Sequence, residues 1–394
     1  MMLTIFMNST SLYNIKIDFE KSSGSYIFDK NTDRKYLDFM GMYSSLPLGY
    51  NHVIFDSSEW REDILRVSKL KIVNCEILSD EYEEFHSSFT KFTDADNVHF
   101  TCTGALANEA AIKTAMWYKG PRHDGYILSI KNSFHGINSV GNIITTRFSG
   151  IDTRLGALPG DSIWPKADTV SDAIHHIQNN ERLPGSLQGI IIEPIQSTYG
   201  DNHLSYESIT ALRHACTEYD IPLIFDEVQT GFGSTGKVWY SQHLGVKPDI
   251  TSFGKKSQVS GIVVSDSHSK VFEEHKRLSV TFDGDLVDMI RCKHIIKAIE
   301  KYDLLANAEE LGTYFKSKLN KLQYIENVRS VGLLIAFDFT SKERRDSFCK
   351  NLYKNGMICN PTGNFSVRLR PNLAVEKKEI DAAIKIIQKS FKTI

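Results

Sequence analysis

The middle of the chain alternates short, almost entirely apolar runs with segments of helical periodicity. The apolar runs occupy 98–102, 126–130, 189–195 and 221–228, and a helical pattern covers about 206–219. Strands that are apolar at nearly every position are typical of sheets covered on both faces, because each face then packs against helices. This alternation predicts an α/β fold with a mainly parallel sheet flanked by helices.

The pattern differs on either side of this region. Residues 24–39 alternate in the manner of a β-hairpin, and a long amphipathic helix follows Asp283, before mixed strands and helices. We therefore predict three parts. An N-terminal segment (1–50) joins a small α+β domain (286–394), and a large domain (51–285) holds the parallel sheet.

Composition excludes several classes of partner. The 394 residues include 46 Lys and Arg against 48 Asp and Glu, so no polybasic surface for nucleic acid or an anionic membrane is expected. The six cysteines are scattered without paired spacing, which predicts reduced thiols and no metal site. No apolar run reaches the length of a membrane span and the N-terminus lacks a basic leader, so a cytoplasmic protein is predicted.

Three polar groups follow predicted strands, at the edge where open parallel sheets bind ligands. The segment 101–105 enters a helix through a glycine turn whose N–H groups could hold a phosphate, although an ordinary strand-to-helix turn has the same pattern. Asp226 ends a buried strand, where an acid needs a partner, although it could simply cap a turn. Lys255 follows the strand-like run ITSFG, although most lysines are surface residues.

Taken together, these motifs resemble a known family. LIFDEVQTGFGSTGK followed by PDITSFGKK is similar to the signature of class III aminotransferases, which use pyridoxal phosphate. The motifs SYIFDKNTDRKYLDF, TGALANEAAIK, NSFHG, IIIEPIQ and VRLRP agree with that family in the same order, from about Gly24 to the C-terminus. Within the class, FDEVQTG and FGKKSQVSG are most similar to the lysine 6-aminotransferases (lysine ε-transaminases). The resemblance implies the type I fold of pyridoxal-phosphate-dependent transferases.

The resemblance also implies which residues hold the cofactor. Lys255 would form the Schiff base with pyridoxal phosphate and serve as the acid–base, a role that requires a lowered pKa. Asp226 would pair with the protonated pyridine nitrogen, which makes the ring a better electron sink. The remaining implied contacts are the backbone N–H groups of Gly104 and Ala105 to the phosphate, Phe134 stacked on the ring, Gln229 near the 3-hydroxyl, and Thr281 reaching the phosphate of the neighbouring subunit in a homodimer.

Lys256 is the rival candidate for the Schiff base. In an extended segment its side chain would point away from that of Lys255, because successive side chains alternate. The family pattern favours the lysine directly after Gly254.

Substrate contacts follow from the same resemblance. Arg368 aligns with the arginine that binds the α-carboxylate of 2-oxoglutarate or glutamate, and Glu193 with a glutamate near the active site; the adjacent Arg370 is interpreted as structural. Ile137 departs from the pattern, because lysine and GABA enzymes commonly carry there an arginine for a substrate carboxylate. Thr198 also departs, because lysine aminotransferases carry there a glutamate that pairs with the Arg368 equivalent.

The leading interpretation is an ω-aminotransferase that moves the terminal amino group of a lysine-like donor to 2-oxoglutarate, giving an aldehyde and glutamate. Three alternatives stay open at this point. The donor could be an amine, amino sugar or carrier-bound amine without a free carboxylate; the enzyme could be a mutase or racemase of the same fold; or the chain could be a catalytically silent binding module. Arg368 argues against a mutase, and Lys255 with Asp226 argue against a silent module.

Overall fold

The computed structural model describes residues 13–95, 97–120, 122–146, 164–180, 185–274 and 276–392. Its strands are β1 (Tyr26–Asp29), β2 (Arg34–Asp38), β3 (Asn97–Thr101), β4 (Gly125–Ile130), β5 (Lys166–Ala167), β6 (Ser186–Ile192), β7 (Ile195–Gln196), β8 (Asn202–His203), β9 (Leu223–Asp226), β10 (Ile250–Phe253), β11 (Ser260–Val264), β12 (Glu326–Val331), β13 (Leu334–Asp338), β14 (Met357–Ile358), β15 (Asn360–Thr362) and β16 (Ser366–Leu369). Its helices are α1 (Gly41–Ser44), α2 (Ser58–Val67), α3 (Asp80–Thr93), α4 (Gly104–Lys119), α5 (Ser139–Ile144), α6 (Val170–Gln178), α7 (Tyr206–Glu218), α8 (Ser241–Leu244), α9 (Leu286–Lys301), α10 (Leu304–Leu319), α11 (Lys342–Lys354) and α12 (Lys377–Phe391).

A seven-stranded sheet forms the centre of the molecule, in the order β3-β11-β10-β9-β6-β4-β5. Strand β11 runs antiparallel to both of its neighbours, and the pairs among β10, β9, β6, β4 and β5 are parallel. The predicted α/β fold with a mainly parallel sheet is therefore confirmed. Sequence patterning does not predict β11, whose five residues follow β10 after a short turn.

Helix α4 packs directly against this sheet. Its inner face repeats alanine at Ala107, Ala111 and Ala115, all fully buried, at the four-residue spacing that places side chains on one side of a helix. These small side chains allow the helix backbone to lie close to the strands, and α4 begins immediately after β3. The N-terminus of α4 is therefore held near the edge where β9 and β10 end.

Two smaller sheets contain strands from the N-terminal and C-terminal parts of the described chain. Strand β2 pairs with β1 in the N-terminal hairpin and also, in parallel, with β14. A four-stranded sheet has the order β12-β13-β16-β15. One apolar core continues from Phe253 on the central sheet to Phe337 on the four-stranded sheet. The division into 1–50, 51–285 and 286–394 stays a prediction.

Within the described residues, none of the helices combines the length and the apolar character needed to cross a bilayer.

Candidate active site

A cavity of about 380 Å³ opens where β9 and β10 end. All the predicted site residues except Thr281 line it: Gly104, Ala105, Phe134, Ile137, Glu193, Thr198, Asp226, Gln229, Lys255 and Arg368. Sequence reasoning missed four further lining side chains, those of Tyr43, Asn108, His135 and Val228. Asn108 and His135 lie inside the motifs TGALANEAAIK and NSFHG. Their polar side chains within matched motifs could have identified them as candidate site residues.

Asp226 is the last residue of β9 and is buried. Its Oδ2 accepts hydrogen bonds from Asn108 Nδ2 at 2.8 Å and from His135 Nδ1 at 2.9 Å, and its Oδ1 accepts one from the Val228 N–H at 3.1 Å. With the carboxylate oxygen as the acceptor, the contact with His135 corresponds to donation from Nδ1. These donors fix the carboxylate and compensate for its removal from water.

Asn108 and His135 are themselves held by further hydrogen bonds. The Ser252 hydroxyl donates to Asn108 Oδ1 at 2.5 Å, and Asn108 Nδ2 also donates to the His135 carbonyl at 3.0 Å. The His135 N–H donates to the hydroxyl of Thr145 at 2.9 Å. This network gives Asp226 one orientation, because Asn108 and His135, whose side chains reach its carboxylate, are each held by hydrogen bonds of their own.

Lys255 lies two residues beyond the end of β10, the strand next to β9, so its amine and the Asp226 carboxylate enter the cavity from adjacent parallel strands. Burial, and secondly the guanidinium of Arg368, lower the pKa of Lys255 to about 8. A fraction of the molecules therefore has an unprotonated Lys255 amine near neutral pH. A nucleophile or a base must be unprotonated.

Lys256 has a different environment. The prediction that it follows Lys255 in an extended segment is wrong, because Lys255–Ser257 form a 3-10 turn in which Lys255 has a φ of 54°. Strand β10 ends at Phe253, and Gly254 leads from it into this turn. The Lys256 side chain nevertheless leaves the cavity, since its Nζ donates to the carbonyl of Leu46 at 3.3 Å. Burial lowers the pKa of Lys256 to about 7.

The N-terminus of α4 forms one wall of the cavity. Thr103 is the N-cap, and its hydroxyl accepts from the Leu106 N–H at 3.3 Å, so Gly104 and Ala105 are the first residues of the helix. Gly136 packs against this turn with a φ of 119°, and a β-carbon there would come within 2.9 Å of Ala105 Cβ. A side chain at 136 would therefore crowd the start of the helix, where N–H groups and the helix dipole favour an anion.

Glu193 connects two walls of the cavity. Its Oε1 accepts from the Phe134 N–H at 2.7 Å and its Oε2 from the Ser197 N–H at 3.2 Å. Burial, and secondly the negative charge of Asp226, raise the pKa of Glu193 to about 8. The contacts of this side chain make it a positioning residue, because it fixes the segment with the aromatic ring relative to the segment before Thr198.

Arg368 reaches the cavity from β16. It is buried, and its Nη1 donates to the Ser197 carbonyl at 2.7 Å, the same oxygen that accepts from the Thr362 hydroxyl at 3.0 Å. The Thr198 hydroxyl oxygen is buried and has no hydrogen-bond partner in the described part of the chain. Arg370, two residues along, pairs instead with Asp201 at 2.6 Å, away from the cavity lining.

The outer part of the cavity is apolar. Ile137 is 63% exposed and Tyr43 is 52% exposed, and both line the cavity. Tyr43 belongs to the single turn α1, in which Gly41, Met42, Tyr43 and Ser44 all have positive φ. Among the described lining residues, the cationic side chains are those of Lys255 and Arg368.

Thr281 does not reach the cavity of its own chain. It is exposed and lies between the exposed apolar residues Val280 and Phe282. The expectation that it contacts a cofactor across a subunit interface therefore stays a prediction.

The cavity residues fit pyridoxal phosphate chemically. A lysine with a lowered pKa, an oriented carboxylate and a free helix N-terminus lie around one space. In addition, the side-chain oxygen of Gln229 is buried at the cavity without a partner among the described residues, so a hydroxyl donor there would satisfy it.

Comparison with known proteins agrees with this geometry. The family model for class III aminotransferases matches residues 7–391. The L-lysine-epsilon aminotransferase of Mycobacterium tuberculosis is 32% identical over 415 residues, covering 97% of this chain and 92% of that protein. A probable mitochondrial 4-aminobutyrate aminotransferase of Caenorhabditis elegans is 27% identical, covering 98% of this chain and 90% of that protein.

Solved structures give the same result. The structure of a lysine aminotransferase from M. tuberculosis superposes with a TM-score of 0.88 at 30% identity, covering 98% of this chain and 97% of that chain. The resemblance found in the sequence and the type I transferase fold are thereby confirmed. The matched family, the relatives and the cavity agree, and the chain belongs to the class III aminotransferases.

Proposed function

We propose that this enzyme is an ω-aminotransferase that uses pyridoxal phosphate to move the terminal amino group of a lysine-like donor to 2-oxoglutarate. The observation that carries the proposal is the meeting of Lys255, Asp226 and Arg368 in one cavity. The first two suit the chemistry of amino transfer. The third suits a carboxylate next to the reacting carbon, which 2-oxoglutarate and glutamate both carry.

Within this proposal, each residue of the cavity has a definite task. Bound pyridoxal phosphate supplies an aldehyde that accepts amines and a ring that withdraws electrons. Asp226, held by Asn108 and His135, would pair with the ring nitrogen and keep it protonated. Lys255 would hold the cofactor through its Nζ, and the same amine would accept and return protons. Gly104 and Ala105 would hold the phosphate through their N–H groups.

The other contacts orient the reactants. Phe134 would stack on the ring, and Glu193 positions Phe134 through the Phe134 N–H. Gln229 would accept a hydrogen bond from the 3-hydroxyl of the cofactor. Thr281 completes the phosphate site of the partner subunit in a homodimer, and the exposed apolar residues Val280 and Phe282 beside it support a surface of that kind.

A second candidate is an aminotransferase whose donor lacks a free carboxylate. Ile137 favours it, because an exposed apolar side chain at the cavity entrance cannot form charge-assisted hydrogen bonds with a carboxylate. A neutral or apolar donor body would instead bury surface against Ile137 and Tyr43.

A donor screen with the holoenzyme tests both candidates. Lysine, ornithine, 4-aminobutyrate, an amino sugar and simple ω-alkylamines would each be mixed with 2-oxoglutarate, and glutamate formation would be measured. Glutamate from any ω-amine supports the proposed reaction, and the ranking of charged and uncharged donors selects the candidate. If no amine donor gives glutamate, although free glutamate converts the bound cofactor to its amine form, the proposed donor class is wrong.

A further inference from the structure

Two cysteine side chains outside the cavity are in direct contact. The Sγ atoms of Cys349 on α11 and Cys359, which lies between β14 and β15, are 3.8 Å apart. Cys349 is half-buried and Cys359 is fully buried. Cys349 is therefore the more accessible of the two residues, and the Cys359 sulfur is placed to react with the sulfur of Cys349.

Hydrogen bonds with Tyr13 hold the backbone of Cys359 in this position. The Tyr13 hydroxyl donates to the Cys359 carbonyl at 2.6 Å and accepts from the Cys359 N–H at 3.1 Å. The contact with Cys349, together with burial, keeps the pKa of the Cys359 thiol well above its ordinary value. Cys359 is thus protected from direct oxidation, and its neighbour is the thiol exposed to attack.

We propose that Cys349 and Cys359 form a modification site, at which a peroxide converts the two thiols to a disulfide that joins α11 to the start of β15. The Cys349 thiolate first attacks the peroxide, whose O–O bond breaks, leaving a sulfenic acid and releasing hydroxide that is protonated to water. The Cys359 sulfur then displaces the sulfenic oxygen, which leaves as a second water. Two thiols lose two electrons, and one hydrogen peroxide gains them.

This disulfide would act on the active site through β15. A disulfide bond is about 2.05 Å long, so the two sulfur atoms must approach by more than 1 Å from their present separation. Asn360, next to Cys359, pairs with Arg368 across the β15–β16 ladder. Thr362, also on β15, donates to the Ser197 carbonyl that anchors Arg368. We expect oxidation to shift this strand and weaken the binding of the acceptor carboxylate, an effect that rests on the proposed function.

Peptide mapping tests the modification directly. Trypsin cleaves after Arg345, Lys350 and Lys354, so the two cysteines fall in separate peptides, 346–350 and 355–368. Reduced holoenzyme treated with hydrogen peroxide should yield these peptides as one cross-linked species that dithiothreitol separates. Cys349→Ser should abolish the species, and Cys75→Ser, at another half-buried cysteine, should retain it. Over-oxidised Cys349 without the cross-link, or a cross-link to another cysteine, would overturn the proposal.

A kinetic measurement tests the connection to the active site. The Michaelis constant for 2-oxoglutarate should rise severalfold on peroxide treatment of the wild type, return with dithiothreitol, and stay constant in Cys349→Ser. An unchanged constant in cross-linked wild type would overturn the connection to Arg368. The mapping needs no turnover, so a failure of the proposed function would not be mistaken for a failure of the disulfide.

Discussion

The floor and the rim of the cavity differ in how completely their side chains are constrained. The floor consists of Asn108 on α4, Asp226 and Lys255 at or just after strand ends, and His135 in the loop after β4. Both oxygens of Asp226 accept hydrogen bonds. The rim (Tyr43 and Ile137) is apolar and mostly exposed. Under the proposed function, the fixed polar network would carry the reaction, and the weakly constrained side chains of the rim would select the substrate.

Replacing the floor lysine should have the largest effect. In Lys255→Ala the visible absorbance of the bound cofactor and the turnover should both be lost, because no other amine reaches the cavity from β10. Absorbance spectra and steady-state assays measure the two quantities. Lys256→Met is the matched control and should retain both, since the Lys256 amine donates to Leu46 outside the cavity. A colourless Lys256→Met with an active Lys255→Ala would reverse the assignment.

Removing the charge of Asp226 should have the next largest effect. Asp226→Asn keeps the shape but cannot hold a proton on the ring nitrogen, so turnover should fall by several orders of magnitude, about 4 kcal/mol or more. Cofactor binding should persist at reduced affinity, as measured by absorbance titration. Asn108→Ser, which removes one of the donors to Asp226, should lower turnover much less. Near-normal turnover in Asp226→Asn would exclude the proposed role.

A substitution at the rim should change which amino donor the enzyme prefers and leave the catalytic steps unchanged. Ile137→Arg adds a cation at the entrance, and a charge-assisted hydrogen bond is worth about 1.5–3 kcal/mol, so lysine should react about tenfold faster or better. Rapid-mixing absorbance of each half-reaction measures this, with Ile137→Gln as the uncharged control. Wild type should use lysine slowly and 2-oxoglutarate efficiently. Efficient lysine turnover by the wild type with no gain in Ile137→Arg would show that another group holds the carboxylate.

The positioning residue Glu193 should affect stability in a defined pH range. Its pKa is raised in the folded protein from 4.5 to about 8, so the folded state binds more protons than the unfolded state between these values. The free energy of unfolding should therefore fall as the pH rises from 5 to 8. A pKa difference of one unit corresponds to about 1.4 kcal/mol, and we expect at least this loss.

Urea unfolding of the cofactor-free protein across that range measures the effect. In Glu193→Gln the decrease should be smaller than in the wild type by the contribution of this carboxyl. Identical pH profiles for the two proteins would show that Glu193 is already ionised at pH 5.

Much of this fold could be predicted from local sequence. The apolar runs before Asp226 and after Asp249 identify strands, because a strand covered on both faces has few positions for polar residues. Asp226 and Lys255 lie close together because β9 and β10 are neighbouring parallel strands that end at the same edge of the sheet. Strand β11 was not predicted because it has five residues, two of them small, and therefore shows little alternation of apolar and polar side chains.

The contacts within the site were harder to predict. No local pattern connects Glu193 to Phe134, 59 residues earlier, or Arg368 to Ser197, 171 residues earlier, since such pairs depend on how sheets and loops pack. The turn at Lys255 was also missed, because Gly254 allows several backbone paths after a strand and sequence alone does not select one.

The position of Ile137 has a consequence for the choice of amine. It lies two residues after His135, on the same short segment, but its side chain points to the entrance while that of His135 bonds to Asp226. Thr145 ties the backbone between them through the His135 N–H and the Gly136 carbonyl. Under the proposed function, a substitution at 137 would therefore change which amines the enzyme accepts and leave the hydrogen bonds among His135, Thr145 and Asp226 in place.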